Sequence, residues 1–322
     1  MSSAVKKILV IRFSSIGDIV LTTPVIRCLK IQSEAELHYI TKKRFEPILK
    51  SNPNIDKLWL YDGNFRKLIP GLKAEHFDFI VDLHGNPRSS YVRFRLGRPS
   101  GSFPKLNIKK WLIVNFKWDF LPGIHIVDRY FKAAGRLGLK NDGNGLDYFI
   151  PEEDEVVPPF RDYIAVVIGG KHNTKIFPAE RVAEVIQRLQ KPVILLGGKE
   201  DWVRGEQIVL LSDKHVKNAC GEYRLNQAAS IVRQAAAVLT NDTGLMHIAA
   251  ALRKKTVSVW GNTIPGFGMS PYMPGYEQGS FIAEVKGLSC RPCSKLGFRE
   301  CPKSHFRCMM DIRLDDIIAN LD

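Results

Sequence analysis

Hydrophobic positions along the chain alternate between two signatures: short apolar runs of strand length, and longer segments with apolar residues at helical spacing. The run KILVIRF, Lys7 to Phe13, is nearly all β-branched or apolar, as suits a central parallel strand covered on both faces. In the following IVLTTPVIRCLK, residues Ile19, Val20, Val25, Ile26 and Leu29 form a helical stripe. Further strands are predicted from Glu36 to Thr41, Lys57 to Tyr61 and Phe77 to Leu83, and a helix from Val127 to Leu137 ending at Gly138. The alternation then repeats. Strands are predicted from Tyr163 to Ile168, Val193 to Leu196, Ala236 to Thr240 and Thr256 to Trp260, with helices starting near Pro178, Asp201, Leu225 and Gly244. Pro178 suits a first helical position, where its missing N–H would have no partner anyway. Residues 141–160 are rich in Gly, Pro and acid and lack helical period, so they read as a linker.

This pattern predicts an α/β protein of two doubly wound parallel sheets. The domains are expected at 1–155 and 156–322, each with its crevice at the carboxyl ends of its strands, the two facing a central cleft. A length of 322 residues agrees, since domains commonly run to about 150 residues. Composition changes the picture little: 45% hydrophobic and 25% charged residues are ordinary for a globular protein. No apolar stretch is long enough to span a bilayer, and the opening MSSAVKKILV lacks a leader pattern, so a cytoplasmic protein is expected. The formal net charge of +14 does matter, because it favours an anionic partner: a nucleotide, a phosphorylated glycolipid, a membrane surface or nucleic acid. Basic residues cluster at 42–44, 88–98 and 105–110, all in the first half.

Chemistry is expected in the loops that leave strand ends. Ser14-Ser15-Ile16-Gly17-Asp18 follows the first strand and is not a GxGxxG fingerprint, so a nicotinamide cofactor is not supported. Asp18 could cap the next helix, or accept a proton from a substrate hydroxyl. In GGKHNTKIF, Lys171 and Lys175 could neutralise a diphosphate, though surface lysines are common. Gly197-Gly198-Lys199-Glu200-Asp201 pairs close backbone approach with an acid for a ribose hydroxyl. In LTNDTGLMHIAAAL a strand feeds a helix through a glycine-containing turn. The unpaired first N–H groups and the helix dipole make such a turn a seat for phosphate, while Asp242 or Thr243 could equally just cap a core helix. His247 reads as a packed residue on that helix. Gly261-Asn262-Thr263 closes the set.

Together, KILVIRFSSIGDIVLTTPVIRCLK and LTNDTGLMHIAAAL resemble the glycosyltransferase family 9 heptosyltransferases, which build the lipopolysaccharide inner core. VDLHGNPRS, GGKHNTKIFP, LLGGKED and VWGNT follow in the family's order over nearly the whole chain. The resemblance implies a GT-B fold of two Rossmann-like domains, with donor bound mainly by the second and acceptor by the first. It also implies inverting, metal-independent transfer of heptose from ADP-heptose to a hydroxyl of the inner core, either lipid A-Kdo or a heptosylated core. The absence of an Asp-x-Asp pair agrees. On this resemblance Asp18 is the general base, Lys175 a donor-phosphate contact and Asp242 a donor-sugar contact. Thr243, Gly244 and Leu245 hold the diphosphate, and Asp201, with Glu200 beside it, contacts the ribose. Thr263 keeps the hydroxyl of a loop in which the family commonly has Gly-Pro-Thr or Gly-Pro-Ser. The expected partners are an ADP-sugar, an anionic glycolipid and, as a peripheral protein on the cytoplasmic face of the inner membrane, an anionic bilayer.

Cys28 and Cys220 are isolated and read as buried. Cys290, Cys293, Cys301 and Cys308 form C-x2-C-x7-C-x6-C in a polar segment. In a cytoplasmic chain clustered cysteines suggest metal more than disulfide, and the first spacing suits zinc, but the second half lacks a matching short pair. They are the candidate ligands of a structural zinc or iron–sulfur site, with His305 as a substitute, and no cofactor is expected in catalysis. Two other classes stay open beside transfer from this or another nucleotide sugar. A regulatory nucleotide-binding protein would keep the diphosphate seat without needing Asp18 and Lys175. A nucleic-acid binder would explain the charge, but no aromatic-basic motif of a known module is present, so nucleic acid is not an expected partner.

Overall fold

The computed structural model describes residues 6–212 and 215–322, so Met1 to Val5, part of the stretch read above as lacking a leader, lie outside it. The chain divides into two compact units: residues through Lys105 with Ile124–Phe149, and Leu106–Gly123 with Ile150–Asp322. The division after Phe149 falls inside the stretch read as linker, a few residues before the expected 155. Residues 106–123 are a departure, since they leave the first unit's chain and pack on the second. Lys117 Nζ there donates to the carbonyls of Cys290 (3.3 Å) and Pro292 (2.8 Å).

The first unit holds β1 (Lys7–Ile11), β2 (Glu36–Lys42), β3 (Lys57–Tyr61), β4 (Phe79–Asp82) and β5 (Ser100–Ser102), all parallel in the order β3-β2-β1-β4-β5. The apolar run of β1 sits at the centre with Ile8 to Ile11 fully buried, as a strand covered on both faces requires. The helical stripe after it is two helices, Ile16–Val20 and Thr23–Ser33. Pro24 has no N–H to continue the first helix, and the hydroxyls of Thr22 and Thr23 take the carbonyls of Ile19 (2.6 Å) and Val20 (2.8 Å). The segment from Val127 to Leu137 is α-helical over Ile126–Phe131 and then tightens to a 3-10 helix, Lys132–Leu137, stopped by Gly138 in the left-handed region. Ser-Gly-Ser of β5 gave no sequence signal, having no apolar side chain; it forms because its neighbours place it at the sheet edge.

The second unit holds β6 (Ile164–Val167), β7 (Val193–Leu196), β8 (Val216–Asn218), β9 (Ala237–Asn241), β10 (Lys255–Trp260) and β11 (Ser280–Glu284), parallel in the order β11-β10-β9-β6-β7-β8. Counted from β6 this is the dinucleotide-fold order, 3-2-1-4-5-6. The edge strands β8 and β11 were not predicted; their side chains are mostly half-buried and mixed in character, which blurs the periodic signal. Helices Ala179–Arg188, Trp202–Ser212, Leu225–Gln234 and Gly244–Ala251 begin where expected, except that Pro178 stands just before its helix rather than within it. Among the described residues no helix is long and apolar enough to cross a membrane.

Close approach fixes one glycine in the first unit. A Cβ on Gly101 would lie 2.0 Å from the Ala133 carbonyl oxygen, and backbone cannot yield as a flexible side chain can. Gly101→Ala is therefore expected to cost roughly 2 to 3 kcal/mol of stability, the scale of overpacking a filled core. Urea denaturation of the two proteins measures it, and an unchanged midpoint would refute the packing argument.

Candidate active site

In the second unit β6 and β9 are neighbours, with Val167 beside Thr240, yet the chain leaves them in opposite directions: from β6 to β7 on one side, and from β9 to β10 on the other. Loops leaving such a pair diverge and open a crevice at the strands' carboxyl ends. Residues 168–177 and 242–244 enter here. Asn241, buried at the end of β9, binds them together: its Nδ2 donates to the carbonyls of Val167 (3.3 Å) and Gly169 (3.1 Å), and its Oδ1 accepts from Phe177 N (3.0 Å).

Of the side chains singled out in the sequence, Lys175, Asp242, Thr243 and Thr263 come together at that crevice. Lys175 Nζ is ion-paired with Asp242 Oδ2, which also accepts from Thr263 Oγ1 at 3.0 Å. Thr243 is the extended N-cap of helix Gly244–Ala251, and its hydroxyl is buried with no hydrogen-bond partner among the described residues. The helix's first N–H groups lack intrahelical partners, which makes this end a seat for an anion. Gly170 lets the lysine loop pass close by, since a Cβ there would meet Ile176 Cγ1 at 2.9 Å and Thr243 Cγ2 at 3.9 Å. His247 is buried on the same helix, as packing predicts.

Asp201 sits differently. It is buried, accepts from Gly198 N (2.9 Å) at the start of the next helix, and is ion-paired with Arg204 at 2.7 Å. Its neighbour Glu200 is the exposed acid of that loop.

The cysteine-rich segment braces the crevice loops. Phe298 N donates to Thr174 Oγ1 (2.8 Å), next to Lys175, and Cys293 N donates to the Asn262 carbonyl (3.0 Å). Arg291, nearly buried and paired with Glu284 at 2.7 Å, donates to the carbonyls of Gly261 (2.6 Å) and Thr263 (2.9 Å). Both polar atoms of the Asn262 side chain are buried without partners among the described residues. Sequence reasoning missed Arg291; only its place between two cysteines hinted at a structural role.

Cys28 and Cys220 are buried, as expected. Of the clustered cysteines, Cys290 Sγ lies 3.8 Å from His305 Nε2, and Cys293 Sγ donates to the Cys290 carbonyl at 3.0 Å. Burial pushes the Cys293 thiol up to about 11 and Cys308 up to about 12. No three of these groups come within 4.8 Å of one another, whereas sulfurs about a tetrahedral zinc stand about 3.8 Å apart. As placed, the set does not fit a closed metal sphere.

In the first unit the same divergence occurs between neighbours β1 and β4. Ser15, not Asp18, is the N-cap of helix Ile16–Val20; Asp18 stands on the first turn and accepts from Ser15 N (3.1 Å) and Ser15 Oγ (2.6 Å), so it supports the cap from within the helix. Its other oxygen is paired with Arg12 Nη2 at 2.6 Å. Arg12 is fixed in turn by Ser14 O (2.7 Å) and Tyr130 Oη (3.0 Å). His84, leaving β4, is held neutral: burial first, then Arg12 and Lys105, push its ring down to about 3. Its Nδ1 is buried and has no partner among the described residues. Lys42 feels Arg44 and Arg88, and Lys105 feels Arg12, so basic groups from separated stretches share this end of the sheet. Arg12 had a sequence signal, a lone charge inside an apolar strand run; His84 stood unremarked in VDLHGNPRS.

The family model for glycosyltransferase family 9 (heptosyltransferase) matches residues 65–295. The chain is 23% identical to lipopolysaccharide heptosyltransferase 1 of Campylobacter coli over 290 residues, 80% of this chain and 84% of that protein. To lipooligosaccharide heptosyltransferase 2 of Haemophilus ducreyi it is 24% identical over 352 aligned positions, covering 98% of each. Its fold matches that of Escherichia coli ADP-heptose lps heptosyltransferase II with a TM-score of 0.73 at 22% identity, over 98% of this chain and 97% of the other. Two Rossmann-like parallel-sheet domains of this kind are the GT-B architecture. The family match runs through the lysine loop, the turn before helix Gly244–Ala251 and Thr263, and on that ground this chain is a glycosyltransferase belonging to glycosyltransferase family 9 (heptosyltransferase).

Proposed function

We propose that the protein transfers heptose from ADP-heptose, with inversion and without a metal ion, to a hydroxyl of the lipopolysaccharide inner core. The observation that carries this reading is the grouping of Lys175, Asp242 and Thr263 beside the N-terminus of helix Gly244–Ala251, at the switch point of the second sheet. The names of the relatives, which include lipopolysaccharide and ADP-heptose, supply the substrate class. The donor diphosphate sits on the amides of Thr243, Gly244 and Leu245, with Lys175 as its counter-charge and Asp242 on the sugar. The ribose contact falls to Glu200 more readily than to Asp201, whose carboxylate is already taken by Gly198 N and Arg204.

Asp18 accepts the proton of the acceptor hydroxyl as that oxygen forms its bond to the anomeric carbon. The bond from that carbon to the diphosphate oxygen breaks, and ADP leaves with the electron pair. Charge growing on the diphosphate meets Lys175 and the helix N-terminus, which are already oriented, and such preorganisation replaces the metal bridge that an Asp-x-Asp pair would hold elsewhere. Arg12 and Ser15 orient the Asp18 carboxylate. The basic groups around His84 favour an acidic acceptor, and a lipid-linked one places the protein, as a peripheral protein, on the anionic cytoplasmic face of the inner membrane.

Asp18→Asn is expected to lower turnover by about 10² to 10⁴, the usual worth of a general base, with ADP binding unchanged. Transfer assays and calorimetry test both halves, and near-normal turnover would remove Asp18 from the role. Lys175→Ala should cost roughly 10² to 10³ in rate, as for loss of one charge-stabilising donor. A panel of ADP-, UDP- and GDP-sugars identifies the donor; preference for UDP or GDP would overturn the ADP assignment.

His84 gives a pH prediction. Its folded value, about 3, lies below the ordinary value of 6.5, so the unfolded chain takes up the proton first. The stability it contributes is whole above pH 6.5 and is lost as pH falls through that window. Between pH 7 and pH 5 the wild type should lose about 2 kcal/mol more than His84→Asn, from about 1.4 kcal/mol per pH unit. Equal losses on denaturation at the two pH values would show that the ring is not held neutral.

A further inference from the structure

Residues 107–120, NIKKWLIVNFKWDF, expose an unusual amount of apolar surface for a folded chain. Ile108 is 75% exposed, Trp111 50%, Phe116 50%, Trp118 57% and Phe120 56%. Ile108 and Trp111 stand one turn apart on helix Asn107–Phe116. Beyond them the rings form a ladder: Trp111 meets Phe116 edge-on at 5.3 Å, and Phe116 stacks on Trp118 at 5.2 Å. The ladder is held rigidly. Ile113 on the opposite side is buried, Lys110 lies over the Phe267 ring at 5.3 Å, and Lys117 ties the helix end to the carbonyls of Cys290 and Pro292. Single exposed apolar residues need no explanation, but a contiguous aromatic cluster marks a binding surface.

We infer that this segment is a membrane-docking wedge that inserts its aromatic ladder at the headgroup level of an anionic bilayer. The inference deepens the membrane reading above and rests on it for the surface, not for the transfer chemistry. Three observations choose the bilayer over a protein partner. Tryptophan and phenylalanine interleaved with lysine match what lies in a membrane interface, where rings sit at the headgroups and ammonium groups meet lipid phosphate. Protein interfaces are by contrast depleted of lysine at their core. The charge is complementary to anionic lipid: within the segment Lys109, Lys110 and Lys117 stand against Asp119 alone, and the whole chain carries +14, which opposes pairing with a second copy. The helix spans only Asn107–Phe116, so it can lie in the interface but not cross the bilayer.

The test uses the full chain with phosphatidylglycerol–phosphatidylethanolamine vesicles and with phosphatidylcholine vesicles. The wild type is expected to cosediment with the first and much less with the second. Brominated lipids should quench its tryptophan fluorescence, a readout that needs no variant. The triple substitution Trp111→Ser, Phe116→Ser, Trp118→Ser should weaken anionic-vesicle binding by roughly tenfold or more, as loss of a wedge's apolar face does. Its transfer to a soluble, delipidated acceptor should be unchanged. If the wild type binds anionic vesicles but is not quenched and the triple variant binds equally, the wedge is overturned and the membrane reading stands. Failure of the wild type to bind any vesicle overturns both. A wild-type dimer that the triple substitution dissociates would assign the surface to a second copy and overturn the wedge.

Discussion

The second unit's site depends on one buried amide. Asn241 ends the central strand β9 and spans, with its donor and acceptor atoms, the end of β6, the loop at Gly169 and the start of the segment that leads into helix Ala179–Arg188. An amide buried this way must make its hydrogen bonds or lose stability on the scale of a desolvated polar group, so it holds the loops in one arrangement rather than several. Lys175 and Asp242 are brought within ion-pair distance because the loops that carry them cannot spread apart. Thr263 and Arg291 extend the same constraint to the loop after β10.

The first unit uses a charge where the second uses an amide. Arg12 is buried among the ends of β1 and β4, where an unpaired guanidinium would be costly, and Asp18, Tyr130 and backbone carbonyls satisfy it. Asp18 braces the start of its helix through one oxygen and pairs with Arg12 through the other, so both oxygens of the proposed base are held in place by the fold. Burial, with Arg12 and Lys105 close by, keeps His84 neutral, leaving an uncharged ring whose Nδ1 has no partner among the described residues. In both units the candidate site residues gather where neighbouring strands send their chains in opposite directions.

The cysteine-rich tail is tied to this arrangement by its backbone. Phe298, Cys293 and Arg291 reach the lysine loop and the Gly261-Asn262-Thr263 loop through hydrogen bonds that no motif spacing encodes. The segment's place in the fold is thus clear even though its sulfurs do not close on a common centre.

By itself the sequence determined the alternation of strands and helices, the two-sheet architecture and the loops that hold the candidate site residues. Each of these follows from local pattern: short β-branched runs alternating with segments of helical period suit buried parallel strands with helices between them, and Gly or Pro marks where the chain turns. Short edge strands such as Ser100–Ser102 escaped because three polar or side-chainless residues carry no period. Only the tertiary structure decided that Asp242 pairs with Lys175, that Arg12 grips Asp18, that Asp201 is buried behind Glu200, and that 106–123 pack on the second unit. Those outcomes depend on which strand ends lie side by side, and adjacency in a parallel sheet is set by burial of whole faces rather than by any stretch a local pattern can read.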